Sequence, residues 1–143
     1  MNRLNKLRDF AAFFEPKTVA VVGASARNPH ALPNTFIRRI RDFGYRGEIY
    51  PINPTASEVE GYKCYPSLAE TPQPVDYAYI GVSGGQIPAM LEAAKGHTKF
   101  AHVVSSGFAE VDKGKDLQAK LVAAARAGGM RLVGPNCMGL YSP

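Results

Sequence analysis

The sequence predicts a single α/β domain built on a doubly wound parallel sheet of about five strands, with helices on both faces. Three observations predict this class. The chain has 143 residues, which is the length of one compact domain. Hydrophobic residues make up 45% of it and occur in short β-branched runs that alternate with segments of helical period. Glycine, serine or asparagine follows each run, as expected at strand ends.

The chain begins with a predicted helical extension over residues 1–16, whose helix covers about residues 4–14. Leu7, Phe10 and Phe14 fall on one face of this helix, so we expect it to pack outside the sheet.

The first strand is predicted over residues 17–22, because the run is continuous and rich in β-branched residues. Such a strand is buried on both faces and should lie in the middle of the sheet. A helix follows over residues 35–43, with Asn34 as its N-terminal cap and Gly44 at its end. Its three arginines are expected to face water: Arg38, Arg39 and Arg41.

Four further strands are predicted, over residues 48–52, 76–82, 100–104 and 131–133. Two more helices are predicted over residues 87–94 and 115–127, because apolar residues recur there at helical spacing. Glycines follow both helices. Residues 55–74 are rich in proline and glycine and predict a loop. Within it we expect a short strand near residues 63–65 and a helical turn at residues 67–70.

The composition excludes several classes of protein. No apolar run approaches the roughly 18 residues of a membrane helix, and no apolar core of a secretory signal follows the basic start. We therefore predict a cytoplasmic protein without membrane contact. The net charge of +5 is spread along the chain, unlike the dense basic stripe of a nucleic-acid binder. Cys64 and Cys137 form no C-x-x-C pair, so we predict reduced thiols and no metal site.

Small and polar residues follow all five main strands. Because the carboxyl ends of parallel strands meet at one edge of the sheet, these residues should line a groove there. The five ends read Gly23-Ala24-Ser25-Ala26-Arg27-Asn28, Asn53-Pro54, Ser83-Gly84-Gly85, Ser105-Ser106-Gly107 and Gly134-Pro135-Asn136-Cys137.

The first of these ends can hold a phosphate group. Gly23, Ala24 and Ser25 can present backbone N–H groups and a hydroxyl, the helix that follows adds the positive end of its dipole, and Arg27 can add charge. A tight turn with a solvated arginine is the alternative, and these residues alone leave both open.

A nicotinamide dinucleotide is the obvious rival ligand, and two features count against it. The first turn reads G-A-S-A-R-N instead of G-x-G-x-x-G. The second strand ends at Asn53, where an acidic residue would bind the ribose 2′-hydroxyl. A neutral strand end favours a nucleotide that carries an extra phosphate, without identifying it.

Five motifs stand in order along the chain: V-A-V-V-G-A-S at residues 19–25, I-Y-P-I-N-P at 49–54 followed by G-Y-K-C-Y-P-S-L at 61–68, V-D-Y-A-Y-I-G-V at 75–82, S-S-G-F-A-E at 105–110, and G-P-N-C-M-G at 134–139. Together they resemble the N-terminal CoA-binding domain of NDP-forming acyl-CoA synthetases, which include ADP-forming acetate–CoA ligases and, more distantly, the α-subunit of succinyl-CoA synthetase. The likeness covers about residues 10–143. It implies that residues 1–143 form a Rossmann-like domain that holds CoA as a bound substrate, with no covalent cofactor.

The resemblance also implies a contact surface for each part of CoA. The implied contacts are Gly23, Ala24, Ser25 and Arg27 at the phosphates, Ile52, Asn53 and Pro54 at the adenine and ribose, Val82 and Ser83 along the pantetheine, Ser105, Ser106 and Gly107 along the nucleotide half or the chain of the cofactor, and Asn136 and Cys137 near the thiol. Many relatives have lysine where this chain has Thr55. We therefore expect phosphate charge from Arg27, Lys63 or elsewhere, or a lower affinity.

No residue of this chain is predicted to be catalytic. Cys137 would lie near a thioester, but the sequence places no histidine or carboxylate to activate it. His30, His97 and His102 carry no indicated role.

The resemblance implies a reaction that needs further modules. The family passes phosphate from an acyl phosphate, through a histidine of the following domain, to a nucleotide in an ATP-grasp module, and neither fits in 143 residues. We therefore expect an excised domain or a subunit of an acid–thiol ligase, inactive alone, with those modules as partners. A stand-alone CoA-binding regulatory module is the alternative, and an NAD(P)-binding redox domain is less favoured.

Overall fold

The computed structural model describes residues 10–139 of the chain. Its strands are β1 (Thr18–Val22), β2 (Glu48–Ile52), β3 (Glu58–Val59), β4 (Tyr62–Lys63), β5 (Val75–Ile80), β6 (Thr98–Val103) and β7 (Arg131–Val133). Its helices are α1 (Ala11–Phe14), α2 (Leu32–Asp42), α3 (Ile87–Ala93) and α4 (Lys115–Ala127). The five main strands agree with the predicted ones to within two residues. Residues 4–9 of the predicted first helix lie outside the described part of the chain.

The main sheet has five parallel strands in the order β2-β1-β5-β6-β7. The strand β1 has a neighbour on each side and is buried at every position, as the sequence predicted, but it is the second strand of the five and β5 is the middle one. From β1 the chain first adds β2 on one side and then crosses to β5 on the other. The strand order therefore reverses between β1 and β5, which is where sheets of this class form a ligand crevice. The doubly wound parallel class is confirmed.

Helices cover both faces of the sheet, because alternate strand residues point to opposite sides. On one face, Ile87 of α3 and Leu121 of α4 are fully buried in a core that includes Ala78 of β5. On the other face, Ile37 of α2 is fully buried, and the ring of Phe13 in α1 packs on the aromatic side chains of β5 and β6. Within residues 10–139, no helix combines the length and the hydropathy that crossing a membrane requires.

The start of α2 differs from the prediction. The helix begins at Leu32, and Asn34 is a buried residue of its first turn instead of the cap. Pro33 accounts for the earlier start, since proline fits the first turn, where its missing N–H has no helical partner. The predicted end is correct. Gly44 has φ of +84°, and the amides of Gly44 and Tyr45 return to carbonyls of the last helical turn.

A β-hairpin occupies part of the predicted loop. The strands β3 and β4 pair antiparallel, and its two turn residues, Glu60 and Gly61, have φ of +54° and +85°. Glu60-Gly61 is not a clear hairpin signal, because Asn-Gly is the usual pair for such a turn. Glu60 pairs with Arg38 of α2 at 2.5 Å, so the prediction that Arg38 faces water is wrong. The predicted helical turn is present at Leu68–Glu70.

Candidate functional site

Asn53 joins the ends of β2 and β1. Its Nδ2 donates to the carbonyl of Ala24 at 2.9 Å, and its Oδ1 accepts the backbone amides of Thr55 and Ala56, each at 2.9 Å. An aspartate here would have no donor for the Ala24 carbonyl. The neutral residue at this strand end is therefore explained by the fold itself, in addition to any preference for a ligand.

Gly23 allows the ends of β1 and β5 to approach each other. It has φ of +95°, and a Cβ at this position would lie 2.7 Å from the carbonyl oxygen of Gly81. The amide of Gly81 in turn donates to the carbonyl of Val22 at 3.0 Å. Only glycine combines this backbone conformation with this close approach. The floor of the crevice between β1 and β5 is therefore bare backbone.

Ser25 begins a loop that is held by side chains of the protein itself. The Ser25 amide donates to Oδ1 of Asn34 at 2.8 Å, and the Ser25 carbonyl accepts from Nδ2 of Asn34 at 2.9 Å. The Ser25 hydroxyl accepts the amides of Arg27 and Asn28 at 3.2 and 3.0 Å. The amides of Ser25, Arg27 and Asn28 are thus already bonded, and of the three amides expected to face a phosphate this removes that of Ser25. The loop can still offer the hydroxyl proton of Ser25 and the guanidinium of Arg27.

Ser105 connects the ends of β5, β6 and β7. Its hydroxyl donates to the carbonyl of Val82 at 2.5 Å, and its carbonyl accepts the amide of Asn136 at 3.0 Å. Asn136 has φ of +50° and follows the cis peptide bond between Gly134 and Pro135. Together with the contacts of Asn53 and Gly81, these bonds join all five strand ends into one continuous edge. The structure therefore brings the predicted site residues together.

Two of the predicted contact residues have buried side chains. Ala24 is 2% exposed and Ile52 is 6% exposed, so each can meet a ligand only through its backbone. Arg27, Pro54, Ser83, Ser106 and Gly107 are exposed or half-buried along the same edge. Lys63 lies on the hairpin, with its Nζ 5.5 Å from the ring centre of Tyr65.

Glu110 folds back onto the loop after β6, a contact that the sequence analysis missed. Its carboxylate accepts the amides of Gly107 and Phe108, the latter at 3.1 Å. Backbone hydrogen bonds, from its own amide and from these two, hold the pKa of Glu110 below its usual range. The signal for this contact in the sequence is a glycine, Gly107, followed three residues later by a glutamate. In the structure Gly107 has φ of +96°.

A buried histidine supports the turn that contains Cys137. His102 is 2% exposed, and its Nε2 lies 2.7 Å from the carbonyl oxygen of Cys137. Because a carbonyl only accepts, Nε2 carries the proton, and the hydroxyl of Tyr77 donates to Nδ1. Burial lowers the pKa of His102, although the hydrogen bond to Cys137 acts the other way. The sequence indicates no role for His102, because nothing in its neighbours along the chain marks this contact.

The arrangement is suited to binding and not, by itself, to acid–base chemistry at a thiol. The imidazole of His102 contacts the carbonyl of Cys137, whereas the Cys137 sulfur lies 3.6 Å from the carbonyl oxygen of Gly139. The edge offers backbone groups, hydroxyls and the charge of Arg27 along a line that crosses five strand ends. Such a line fits an extended ligand with a polar, anionic part.

Comparison with known proteins identifies the relatives of this chain. The α-subunit of ADP-forming acetate–CoA ligase I from Pyrococcus furiosus is 41% identical over 140 residues, which is 92% of this chain and 30% of that protein. ADP-forming acetate–CoA ligase II from Archaeoglobus fulgidus is 38% identical over 136 residues, 94% of this chain and 20% of the relative. The chain thus spans less than a third of the length of these curated relatives.

A solved structure shares the fold. Acetyl-coenzyme A synthetase 1 of Ca. Korarchaeum cryptofilum, determined in complex with phosphate and ADP, superposes with a TM-score of 0.86 at 40% identity. The match covers 92% of this chain and 28% of that one. Residues 17–143 match the family described as the CoA binding domain. With its doubly wound sheet and its likeness to NDP-forming acyl-CoA synthetase subunits over most of its length, the chain belongs to the CoA binding domain family.

Proposed function

We propose that this chain binds CoA along the carboxyl edge of its sheet, as the CoA-binding domain of an NDP-forming acyl-CoA synthetase. The membership of residues 17–143 in the CoA binding domain family carries this proposal. The geometry supports it, because hydrogen bonds join the five strand ends into one continuous surface.

The proposed path of CoA follows the edge from the loop after β1 to the turn after β7. Its contacts are Gly23, Ala24, Ser25 and Arg27 at the phosphates, Ile52, Asn53 and Pro54 at the adenine and ribose, Val82 and Ser83 beside the pantetheine, Ser105, Ser106 and Gly107 along the nucleotide half or the chain of the cofactor, and Asn136 and Cys137 near the thiol. In this proposal the domain contributes binding and orientation, which place the thiol for attack on an acyl phosphate. A phosphohistidine-bearing module and an ATP-grasp module, in the same protein or in a partner, supply the remaining chemistry.

Calorimetry tests the binding proposal directly. The chain is titrated with CoA, dephospho-CoA and NAD under the same conditions. We expect CoA to bind most tightly, dephospho-CoA more weakly and NAD not at all, because Arg27 and the strand ends would favour the additional phosphate.

An Arg27→Gln variant should lose about tenfold in CoA affinity, as removal of one charge-assisted hydrogen bond does. A Lys120→Gln variant, altered at an exposed position of α4, is the control. Tight NAD binding or unmeasurable CoA binding at millimolar concentration would contradict the proposal.

A turnover assay tests the proposed division of labour. The chain is incubated with acetate, ATP and CoA, and acetyl-CoA is quantified. We expect no product from the chain alone, because the proposed phosphate-transfer groups are assigned to other modules. Measurable turnover would show that this part of the proposal is wrong.

A further inference from the structure

We propose that Asn34, Arg38 and Glu60 position the loop of residues 25–29 for the phosphates of CoA, so that the β3–β4 hairpin determines how tightly they are held. This inference rests on the proposed function of the chain. It assigns a role to three residues that lie outside the predicted contact surface.

The 25–29 loop is anchored at both ends by α2. At its start, Asn34 bonds the amide and the carbonyl of Ser25, at 2.8 and 2.9 Å. At its end, Nη1 of Arg38 donates to the carbonyl of Pro29 at 2.8 Å. The two anchoring residues lie one turn apart on the helix, so their side chains reach the loop from the same face.

Glu60 ties the two anchors to each other. A single carboxylate oxygen, Oε1, accepts from Nδ2 of Asn34 at 3.0 Å and from Nη1 of Arg38 at 2.5 Å. Each of these nitrogens carries two protons, and in each case one proton goes to the loop and the other to Glu60. The side chain of Glu60 is 15% exposed, and that of Arg38 is 30% exposed. Partial burial strengthens this charge-assisted pair relative to a surface pair.

The backbone of Glu60 points to the same role. Its φ of +54° belongs to the left-handed region, and it occupies the first of two turn residues, the second being Gly61. Asparagine or glycine is preferred there, and other residues are disfavoured. A glutamate at this position weakens the turn, and what it adds is a side chain that reaches Asn34 and Arg38.

Arg27 lies at the centre of the loop and is exposed. The hydroxyl of Ser25 holds the amides of Arg27 and Asn28, so the backbone between the anchors is fixed as well. A loop that is ordered before binding loses little conformational entropy when a ligand arrives. The anchoring network therefore favours phosphate binding by Arg27 without touching the ligand.

Glu60→Asn separates this positioning role from a merely structural one. The substitution installs the preferred turn residue but is too short to reach α2. We expect an unchanged or higher thermal midpoint, and about a tenfold loss of CoA affinity. Affinity for pantetheine, which lacks the phosphates, should not change.

Glu60→Gln keeps the length and the acceptor oxygen, so it should restore most of the CoA affinity. Glu58→Asn, with the same change on β3, is the matched control.

A second pair of variants repeats the test on α2. Arg38→Met removes the anchor at Pro29, and Arg39→Met makes the same change at the next position of the helix. We expect only Arg38→Met to weaken CoA binding, again without a change for pantetheine.

The possible outcomes distinguish this inference from the proposed function. If wild-type protein does not bind CoA, the proposed function is overturned and this inference with it. If wild-type protein binds CoA and Glu60→Asn and Arg38→Met bind it equally well, only this inference is overturned. Equal losses for CoA and pantetheine, with a lower thermal midpoint, would also overturn it, because they would show that the network only maintains the fold.

Discussion

Two asparagines hold the carboxyl edge of the sheet, because a carboxamide can donate and accept hydrogen bonds at the same time. Asn53 donates to the Ala24 carbonyl while accepting two amides. Asn34 donates to the Ser25 carbonyl while accepting the Ser25 amide. An ionised carboxylate can only accept, so neither position suits an acidic residue. The edge is therefore neutral where an anionic ligand is proposed to bind.

Asn53→Asp tests the need for a donor at this position. The change leaves the Ala24 carbonyl without its partner and places a negative charge beside it. We expect the free energy of unfolding to fall by about 1–3 kcal/mol at neutral pH. Denaturant titration measures the change. Asn28→Asp is the matched control, because Oδ1 of Asn28 accepts the amide of His30 and aspartate keeps that bond. Equal losses in the two variants would contradict the explanation.

Thr55→Lys tests the proposed effect of the missing lysine. The side chain of Thr55 is exposed, so a longer side chain fits without disturbing the core. Lysine keeps the amide bond to Oδ1 of Asn53 and loses the hydroxyl bond at 3.2 Å. We expect severalfold tighter CoA binding, because a cation would be added near the phosphates. Calorimetry at low salt measures the CoA affinity. The variant Ser57→Lys, in the same loop, serves as the comparison. No gain in affinity from Thr55→Lys would place the phosphates elsewhere.

His102 predicts a pH dependence of stability. Burial lowers its pKa in the folded chain below the ordinary value of about 6.5, so the unfolded chain binds more protons between these two values. The free energy of unfolding should therefore fall as pH drops from 7 toward 5. His102→Gln keeps a donor for the Cys137 carbonyl and cannot titrate, so its stability should change less over this range. Denaturant titrations at several pH values compare the two proteins, and parallel curves would count against His102 as the source.

At the scale of elements, glycines end a strand and a helix for different reasons. Gly23 follows β1 and Gly44 follows α2, and both have φ in the left-handed region. A Cβ on Gly23 would lie 2.7 Å from a backbone oxygen of Gly81, whereas a Cβ on Gly44 would have no atom within 4 Å. The end of β1 therefore requires glycine for its conformation and for packing, and the end of α2 only for its conformation.

The two alanine variants separate these requirements. Gly44→Ala should cost about 1 kcal/mol, the typical penalty for a left-handed residue. Gly23→Ala should cost more than about 2 kcal/mol, because the two strand ends must also move apart. Thermal and denaturant unfolding provide both values. Similar costs at the two positions would mean that β1 and β5 separate without strain.

The elements also differ in how well their sequences predict them. The strands β1, β2 and β7 and the helix α4 follow from β-branched runs and from apolar residues at helical spacing, and their bounds are nearly those predicted. The β3–β4 hairpin is less predictable, because its turn carries a glutamate whose partners, Asn34 and Arg38, lie more than 20 residues away. The local pattern favours a loop, and long-range contacts select the hairpin.

At the scale of the whole molecule, the net charge of +5 favours anionic ligands without selecting one. We predict that CoA affinity falls several-fold when NaCl is raised from about 50 to 500 mM, since salt screens exposed charges. Pantetheine, which is uncharged, should show little change. Calorimetric titrations of both ligands at the two salt concentrations make this comparison. A CoA affinity that is insensitive to salt would argue against phosphate contacts at the exposed Arg27.

The sequence alone determined the α/β class, the burial of β1 on both faces and the position of the candidate edge. These features depend on local periodicity and on the residues that follow each strand, which a chain carries wherever it folds. The motifs at those strand ends also led to the family, which the relatives confirm.

Only the tertiary structure decided what individual residues at that edge do. In the folded chain, Asn53 and Asn34 form hydrogen bonds with the neighbouring backbone. Glu110 bonds to the loop after β6, and His102 bonds to the turn at Cys137. Each of these contacts joins groups whose hydrogen-bonding capacity is visible in the sequence but whose distance is not. A hydrogen bond depends on a separation of about 3 Å, and that separation exists only once the strands have been set side by side.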